Sequence, residues 1–321
     1  MEIIEFKNNE LILIDQTKLP LSEEYVTCRT VEEVASAIKT MVVRGAPAIG
    51  ITAAYGMVIG KDPKNDSETL KQARPTAVDL SNAVNYMLRE IKEGKNPEIA
   101  AREWHQKIIE KTKKISENGA SLIKSGDTVL LHCNAGPLAT GAYGTSLGAV
   151  LEAHKQGKKI FVYVDETRPR FQGALTSWEL KKAGVPHKVI VDSSAGALMR
   201  MGKVNCIMVG ADRIVKNGDF ANKIGTYPLS VLAKENKIPF YVLAPISTFD
   251  FKAKNGKQIV IEERDGKEVL EIQEKRIYAE GIEATNLAFD VTPKKYVSAY
   301  ITEFGVHKKV LEVKDHLGVK S

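Results

Sequence analysis

From Gly126 onward, short apolar runs alternate with helix-length segments, and this rhythm restricts the possible folds more than any other feature of the chain. The runs are 128–131, 160–164, 188–191, 206–209 and 240–243, and the segments 144–156, 172–183, 196–201 and 227–234 fit helices between them. Strands joined by helical crossovers pair in parallel, and a parallel sheet is covered on both faces. Its strands are therefore apolar throughout instead of alternating. The expectation is an α/β fold with a Rossmann-like parallel sheet, doubly wound by default, whose strand order stays open at this level.

The earlier part reads differently. Strands are expected over 2–6, 10–15 and 25–29, with Asn8-Asn9 as a turn signal. Thr30-Val31-Glu32-Glu33 reads as a capping box that opens a helix over 31–41. Small apolar residues over 46–59 predict a buried helix with Pro47 in its first turn, and the polar stretch 61–72 a loop. The 3.6-residue period recurs over 76–90 and 97–114, the second reaching toward Ile123. The chain thus divides into a small sheet and helix cluster over 1–121 and a Rossmann-like catalytic domain over 122–321.

Composition excludes several classes of function. The net charge is 46 − 40 = +6, with acidic residues interleaved along the chain. The basic excess at 107–114 lies on a helix without aromatic interleaving, so it reads as a solvated face, and no nucleic-acid partner is expected. No apolar run approaches the roughly 18 residues of a membrane span. Three scattered cysteines are too few for a disulfide framework, and the acidic start lacks the basic stretch of a signal peptide. Both point to the cytoplasm.

Chemistry gathers where the strands end. The run to Leu131 enters the glycine-rich turn His132-Cys133-Asn134-Ala135-Gly136, and the run to Val209 enters Gly210-Ala211-Asp212-Arg213. Open α/β sheets bind ligands beyond the carboxyl ends of their strands, so Cys133 and Asp212 read as an active site on one sheet edge. His132 would point to the opposite side of an extended chain and is read as a packing residue. The turn glycines form neither Gly-x-Gly-x-x-Gly nor a phosphate loop ending in Gly-Lys-Ser/Thr. Asp165-Glu166 after the next strand would suit the ribose of a nicotinamide dinucleotide, but Pro137 removes a backbone donor where the pyrophosphate would need one.

Anion-binding signals lie in the first part of the chain. Arg44-Gly45-Ala46 at a helix start offers a guanidinium fork and free backbone N–H groups, and Arg74 stands before another helix. These point to a phosphate pocket between the domains. Asn222-Lys223 can return to the same pocket to hold sugar hydroxyls or the phosphate. Of Arg168, Arg170 and Gln172, at least one is expected in the crevice and another paired with Asp165 or Glu166. Neither the six histidines nor the cysteines have metal-ligand spacing, and no metal or organic cofactor is expected.

Seven blocks then occur in order: Arg-Gly-Ala-Pro-Ala-Ile-Gly at 44–50, Arg-Pro-Thr-Ala-Val at 74–78, Cys-Asn-Ala-Gly at 133–136, Asp-Glu-Thr-Arg-Pro-Arg at 165–170, Gly-Ala-Asp-Arg at 210–213, Asn-Lys-Ile-Gly-Thr-Tyr at 222–227 and Ala-Phe-Asp-Val-Thr-Pro at 288–293. Nearly end to end, the chain resembles the methylthioribose-1-phosphate isomerases of methionine salvage. It departs from their pattern in lacking an arginine between Ala174 and Leu175, in a shorter loop before Arg74, and in Leu287 where proline is usual. The resemblance implies Cys133 as the catalytic cysteine and Asp212 as the catalytic acid/base. It places substrate contacts on Arg44, Gly45, Ala46, Arg74, Gln172, Asn222 and Lys223, and it implies a homodimer. The expected function is cofactor-free aldose–ketose isomerisation of a sugar phosphate, 5-methylthioribose 1-phosphate. The alternatives within the same superfamily are a ribose-1,5-bisphosphate isomerase and a non-enzymatic, nucleotide-binding regulatory subunit of a translation-initiation exchange factor.

Overall fold

The structure is a computed structural model and describes residues 3–75, 77–314 and 316. Glu2, at the start of the first expected strand, and Thr76, at the start of an expected helix, lie outside the described residues. The chain forms two compact units that are not consecutive in sequence. One holds the residues up to Lys113 together with Ala135–Gly144; the other holds Lys114–Asn134 and the chain from Thr145 onward.

In the first unit, β1 (Ile4–Lys7), β2 (Glu10–Ile14) and β3 (Tyr25–Cys28) form an antiparallel meander, with Ile4 opposite Leu13 and Leu11 opposite Cys28. Helix α1 (Val31–Lys39) opens with the expected capping box, Thr30 accepting from the Glu33 amide while the Glu33 carboxylate accepts from the Thr30 amide. Helix α2 (Ala46–Ile59) is buried on nearly every side, as its small apolar residues require. The polar stretch expected to be a loop is instead helix α3 (Pro63–Ala73). Asp62 caps it by accepting from the Lys64 and Asn65 amides, Pro63 fits its first turn, and Leu70 anchors it in the core. One buried leucine and a good cap suffice where the polar face gives the pattern little contrast. Helices α4 (Val78–Lys92) and α5 (Pro97–Ala120) follow, α5 six residues longer than its strongest periodicity.

The segment 135–144 contains the single-turn helix α6 (Pro137–Thr140) and is fastened within this unit by polar contacts. Gln16 Nε2 donates to the Leu138 carbonyl at 2.9 Å, and His105 Nε2 donates to the Gly141 carbonyl at 3.0 Å. The other ring nitrogen of His105 then accepts from the Tyr55 hydroxyl at 3.1 Å, which fits a neutral imidazole whose pKa burial pushes down. Gly45 meets the same segment. Its φ is +94°, and a β-carbon there would land on the Ala139 carbonyl oxygen. Replacing Gly45 with alanine should therefore cost roughly 2 kcal/mol or more of unfolding free energy, from the left-handed backbone together with the clash. Urea unfolding of Gly45→Ala checks this, and a loss within a few tenths of a kcal/mol would contradict the close approach.

The second unit is built on a seven-stranded sheet. In chain order its elements are β4 (Thr128–Leu131), α7 (Ser146–Lys155), β5 (Phe161–Asp165), α8 (Gln172–Lys182), β6 (His187–Ile190), α9 (Ser194–Arg200), β7 (Cys206–Val209), β8 (Arg213–Val215), β9 (Phe220–Lys223), α10 (Thr226–Glu235), β10 (Phe240–Leu243), β11 (Phe249–Asp250), α11 (Lys267–Leu270), β12 (Glu271–Ile272), β13 (Lys275–Arg276), β14 (Phe289–Thr292), β15 (Ala299–Thr302), β16 (Gly305–His307) and α12 (Val310–Lys314). Every strand and helix expected after Gly126 is present to within two residues at each end.

The sheet runs β16-β15-β10-β7-β4-β5-β6, all parallel except β16. Numbered by appearance, the parallel strands lie in the order 3-2-1-4-5-6, the Rossmann order. Val129 and Leu131 of β4 and Met208 of β7 face one core, with residues of α5, α7 and α8. Leu130, Ile207 and Val209 face the other, with α9 and α10. A smaller sheet, β11-β8-β9-β14, carries Asn222 and Lys223 on β9. The stretch 259–266 pairs with its own chain: the Arg264 amide donates to the Asn286 carbonyl at 2.8 Å, and the Ala288 amide to the Glu262 carbonyl at 2.9 Å.

Candidate active site

Strand order brings Cys133 and Asp212 together. Strands β4 and β7 are neighbours, with Leu131 opposite Met208, and the crossover direction reverses between them. Such a reversal point, at the carboxyl ends of the strands, is the usual ligand position of an open α/β sheet. Cys133 lies two residues past the end of β4 and Asp212 three past the end of β7. Asp212 is exposed to solvent, Cys133 half-buried, and the Asp212 amide donates to the Ala221 carbonyl at 2.9 Å.

The backbone at Cys133 is strained. Its φ is +67°, a left-handed conformation that costs a non-glycine residue on the order of 1–2 kcal/mol. Thr167 and Phe171, at φ +59° and +54°, share this conformation after the neighbouring strand β5. Hydrogen bonds hold the arrangement. The Cys133 amide donates to Thr167 Oγ1 at 2.9 Å, and Thr176 Oγ1 on α8 donates to the Cys133 carbonyl at 2.8 Å. Asn134 Nδ2 donates to Thr176 Oγ1 and to the Glu179 carboxylate, at 3.0 and 2.6 Å. Such strain concentrates where the surrounding structure fixes a reactive group.

Lys223 ends β9 at 7% exposure. Its ammonium donates to the Ala288 carbonyl at 2.7 Å and lies 4.1 Å from the centre of the Phe289 ring. Burial pulls its pKa down, while Cys133 and Asp212 pull it up through their charge, so the lysine lies within electrostatic reach of both. Asn222 is buried and donates to Thr226 Oγ1 at 3.0 Å. Gln172 opens α8, and among the described residues its buried Oε1 has no hydrogen-bond partner. An enclosed amide oxygen in that condition suits a ligand hydroxyl. The second unit therefore gathers Cys133, Asp212 and Lys223 electrostatically. In the first unit, Arg44 and Gly45 precede the N-terminus of α2, whose leading amides begin at Ala46 and meet no capping side chain, and Arg44 Nη2 reaches the Gln16 carbonyl at 3.3 Å. Arg74 ends α3, four residues before α4 begins.

The structure divides the two acids after β5 between different partners. Asp165 pairs with His132, not with an arginine: His132 Nδ1 and Asp165 Oδ2 are 2.9 Å apart, the two side chains 1% and 0% exposed. Glu166 is the acid within electrostatic reach of Arg168. Arg168 donates to the Pro169 and Val269 carbonyls, and Arg170 faces Glu268 at 3.5 Å. His132 is accordingly more than a packing residue. Asp192 approaches this pair, and the three side chains could be read as metal ligands. Their donor atoms are committed elsewhere, however. Asp192 accepts from the Thr167 and Arg168 amides, both at 2.8 Å, and the second ring nitrogen of His132 donates to the Ile224 carbonyl at 2.8 Å. One remaining oxygen, Asp165 Oδ1, does not make a cation site.

With this geometry in view, a family model described as the initiation factor 2 subunit family matches residues 42–309. The chain belongs to the initiation factor 2 subunit family. It is 50% identical over 336 residues to a methylthioribose-1-phosphate isomerase of Thermotoga neapolitana, covering 98% of both chains. The crystal structure of a 5-methylthioribose 1-phosphate isomerase from Pyrococcus horikoshii OT3 superposes with a TM-score of 0.92 at 39% identity, covering 98% of this chain and 96% of that one. A structure titled translation initiation factor eIF-2B, subunit delta, from A. fulgidus superposes with a TM-score of 0.89 at 41% identity, covering 98% and 99%. Proteins described as isomerase and as initiation-factor subunit thus share this scaffold at similar distance.

In this member of the initiation factor 2 subunit family, two supports of the site escape sequence reading. One is the Thr167–Thr176 clasp on Cys133, since threonines after a strand or on a helix carry no signal of a distant partner. The other is Asp290 on β14, which accepts from the Gly225 and Tyr227 amides at 2.8 and 3.0 Å and so caps α10 directly after Lys223. Its position in the Ala-Phe-Asp-Val-Thr-Pro block was visible, but its role was not. Burial outweighs these amide bonds and pushes the Asp290 carboxyl up to about 6. The folded state therefore binds this proton more tightly than the unfolded chain, so stability rises as pH falls through the interval from about 6 to about 4. Unfolding free energies measured between pH 7 and 4 should show wild type gaining on Asp290→Asn as the pH is lowered. A difference independent of pH would mean that Asp290 titrates as an ordinary carboxylate.

Proposed function

We infer that the chain is a methylthioribose-1-phosphate isomerase, converting 5-methylthioribose 1-phosphate to 5-methylthioribulose 1-phosphate in methionine salvage. The observation that carries the reading is a strained thiol and an exposed carboxylate just past the ends of two adjacent parallel strands, with a buried lysine at the end of β9 within electrostatic reach of both. A subunit that only binds a partner or nucleotide has no need of such a group. The relatives at about half identity over nearly the whole chain carry the same name.

The chemistry follows from the substrate. Phosphate occupies the anomeric oxygen, so the ring cannot open as a free hemiacetal. The bond from C1 to the ring oxygen must break, hydrogen must move from C2 to C1, and the C2 hydroxyl must become a carbonyl. The hydroxyl proton passes to the ring oxygen, so atoms and electrons balance without an added oxidant. Cys133 and Asp212 are assigned to the C1–C2 edge, Asp212 as the acid/base that moves the hydroxyl proton. Gln172, Asn222 and Lys223 orient the sugar, and Arg44, Arg74 and the Gly45 and Ala46 amides hold the phosphate. Reaction in deuterium oxide separates two hydrogen routes: label at C1 of the product reports an enediol, an unlabelled C1 a hydride shift. The same reading carries a homodimer, which light scattering of the purified protein tests, and a cytoplasmic setting, which fits three cysteines outside any disulfide.

Two outcomes test the assignment. Cys133→Ser and Asp212→Asn should each lose roughly 10² or more in kcat with the fold retained, the scale of one positioned acid or base. Near wild-type turnover in either variant would remove that residue from the reaction. Secondly, 5-methylthioribose 1-phosphate should be preferred over ribose 1,5-bisphosphate by about tenfold or more in kcat/KM, equivalent to about 1.4 kcal/mol. A second phosphate needs its own free cations, and the arginines nearest Lys223 already face glutamates: Arg264 faces Glu262 at 3.0 Å and Arg170 faces Glu268 at 3.5 Å. Equal or reversed preference in steady-state kinetics would favour the bisphosphate isomerase.

A further inference from the structure

Three strands end around a buried imidazole that the proposed reaction does not use. Nδ1 of His132 lies 2.9 Å from Asp165 Oδ2 at the end of β5, and Nε2 lies 2.8 Å from the carbonyl of Ile224, directly after β9. His132 itself directly precedes Cys133, and Ile224 directly follows Lys223. A carbonyl oxygen can only accept, so Nε2 must carry a proton. A carboxylate facing Nδ1 calls for a second.

We propose that His132 is a positioning residue: held as an imidazolium between Asp165 and the Ile224 carbonyl, it clamps the Cys133 turn to the strand end that carries Lys223. The proposal deepens the isomerase reading and rests on its assignment of Cys133 and Lys223 to one site. Packing around the ring supports the clamp independently of its hydrogen bonds. Gly225, at φ +102°, lies so close that a β-carbon on it would sit 2.8 Å from the imidazole Cε1. Asp290 then fastens the Gly225 and Tyr227 amides from β14, so the segment 224–227 is held from two sides.

The charges around the ring agree. Asp165 on β5, Asp192 beyond β6 and Asp290 on β14 all present carboxyl groups within its electrostatic reach, whereas Lys223 bears on Asp290 from β9. Burial alone would push the His132 pKa down, but the hydrogen bond and charge of Asp165 outweigh it and raise it above that of an ordinary imidazole. Burial in turn raises Asp165, and the imidazolium opposes that rise. Two charges enclosed this fully persist only as partners, and removing one leaves the other uncompensated. Such a bridge fixes geometry more than it adds stability.

The test uses the thiol as its own reporter. Cys28 and Cys206 are buried, their thiols pushed up to about 11 and about 12, so iodoacetamide at neutral pH reads Cys133 selectively. Asp165→Asn keeps the shape and removes the charge that holds the ring; His132→Gln removes the bridge. In variants that remain folded, the pH midpoint of Cys133 alkylation should rise by about half a unit or more as the Lys223 cation loses its fixed distance from the thiol. Turnover should fall by roughly tenfold or more in kcat with KM changed by less than about twofold, the pattern of a misplaced reacting group. An alkylation profile and kcat both equal to wild type in folded Asp165→Asn would overturn the proposal. Nitrogen-15 NMR of the histidine-labelled wild-type protein tests it without any variant. A doubly protonated His132 ring at pH 8 supports the clamp, and a neutral tautomer there overturns it. Because alkylation and NMR need no substrate, they judge the clamp even if the substrate assignment fails.

Discussion

The parallel pairing of β4 with β7 is the constraint on which the candidate chemistry depends. Their strand ends are held side by side by backbone hydrogen bonds in a sheet buried on both faces, so the separation between the turns that leave them is fixed by the core. Reversal of the winding direction at this pair sends the connections to opposite sides and leaves the crevice open. Cys133 and Asp212 are thus juxtaposed by topology, although 79 residues separate them in sequence. Either side chain moved back along its chain by three residues would enter the sheet and lose access to a ligand.

Electrostatics makes the crevice costly to build and useful once built. Removing an ammonium from water costs several kcal/mol unless partners replace the solvent, and Lys223 has the Ala288 carbonyl and the face of Phe289 in that role. Its interaction with Cys133 and Asp212 ties the smaller sheet, which carries the lysine, to the larger one, which carries the thiol and the acid. The left-handed backbone at Cys133 works in the same direction. It turns the chain sharply after β4, and the threonines at 167 and 176 anchor that turn through its amide and carbonyl. Strain at Cys133 is sustained by hydrogen bonds from residues outside the proposed reaction.

Much of this was legible because periodicity and strand-end chemistry are local signals. The parallel sheet could be read from runs such as Thr128–Leu131 and Cys206–Val209, whose apolar character on both faces excludes an exposed sheet. Cys133 and Asp212 could be singled out because a thiol and a carboxylate just past such runs are badly placed for a core. Pairing between distant residues was not legible. Nothing near Asp165 in sequence distinguishes His132, directly after β4, from the arginines three and five residues away, so proximity left Asp165 and Glu166 as equal candidates for an arginine, and only Glu166 lies within reach of Arg168. Helix α3 was missed for a different reason. A single buried leucine gives almost no hydrophobic contrast, so its cap at Asp62 was the only strong signal.

Similarity of fold cannot by itself separate an isomerase from a regulatory subunit, because proteins bearing both names superpose on this chain almost equally well. The separation has to come from what the scaffold holds. A binding surface tolerates a thiol replaced by serine or a lysine brought to the surface, since affinity is spread over many contacts. Proton and hydrogen transfer at one carbon–carbon bond does not, because reacting groups must be held within a fraction of an ångström. The second unit devotes a buried ion pair, a threonine clasp and a carboxylate cap to residues 132–134 and 223–227. Support of that density around a thiol and an ammonium answers the demand of a reaction, and it is the physical ground for reading this member of the family as an enzyme.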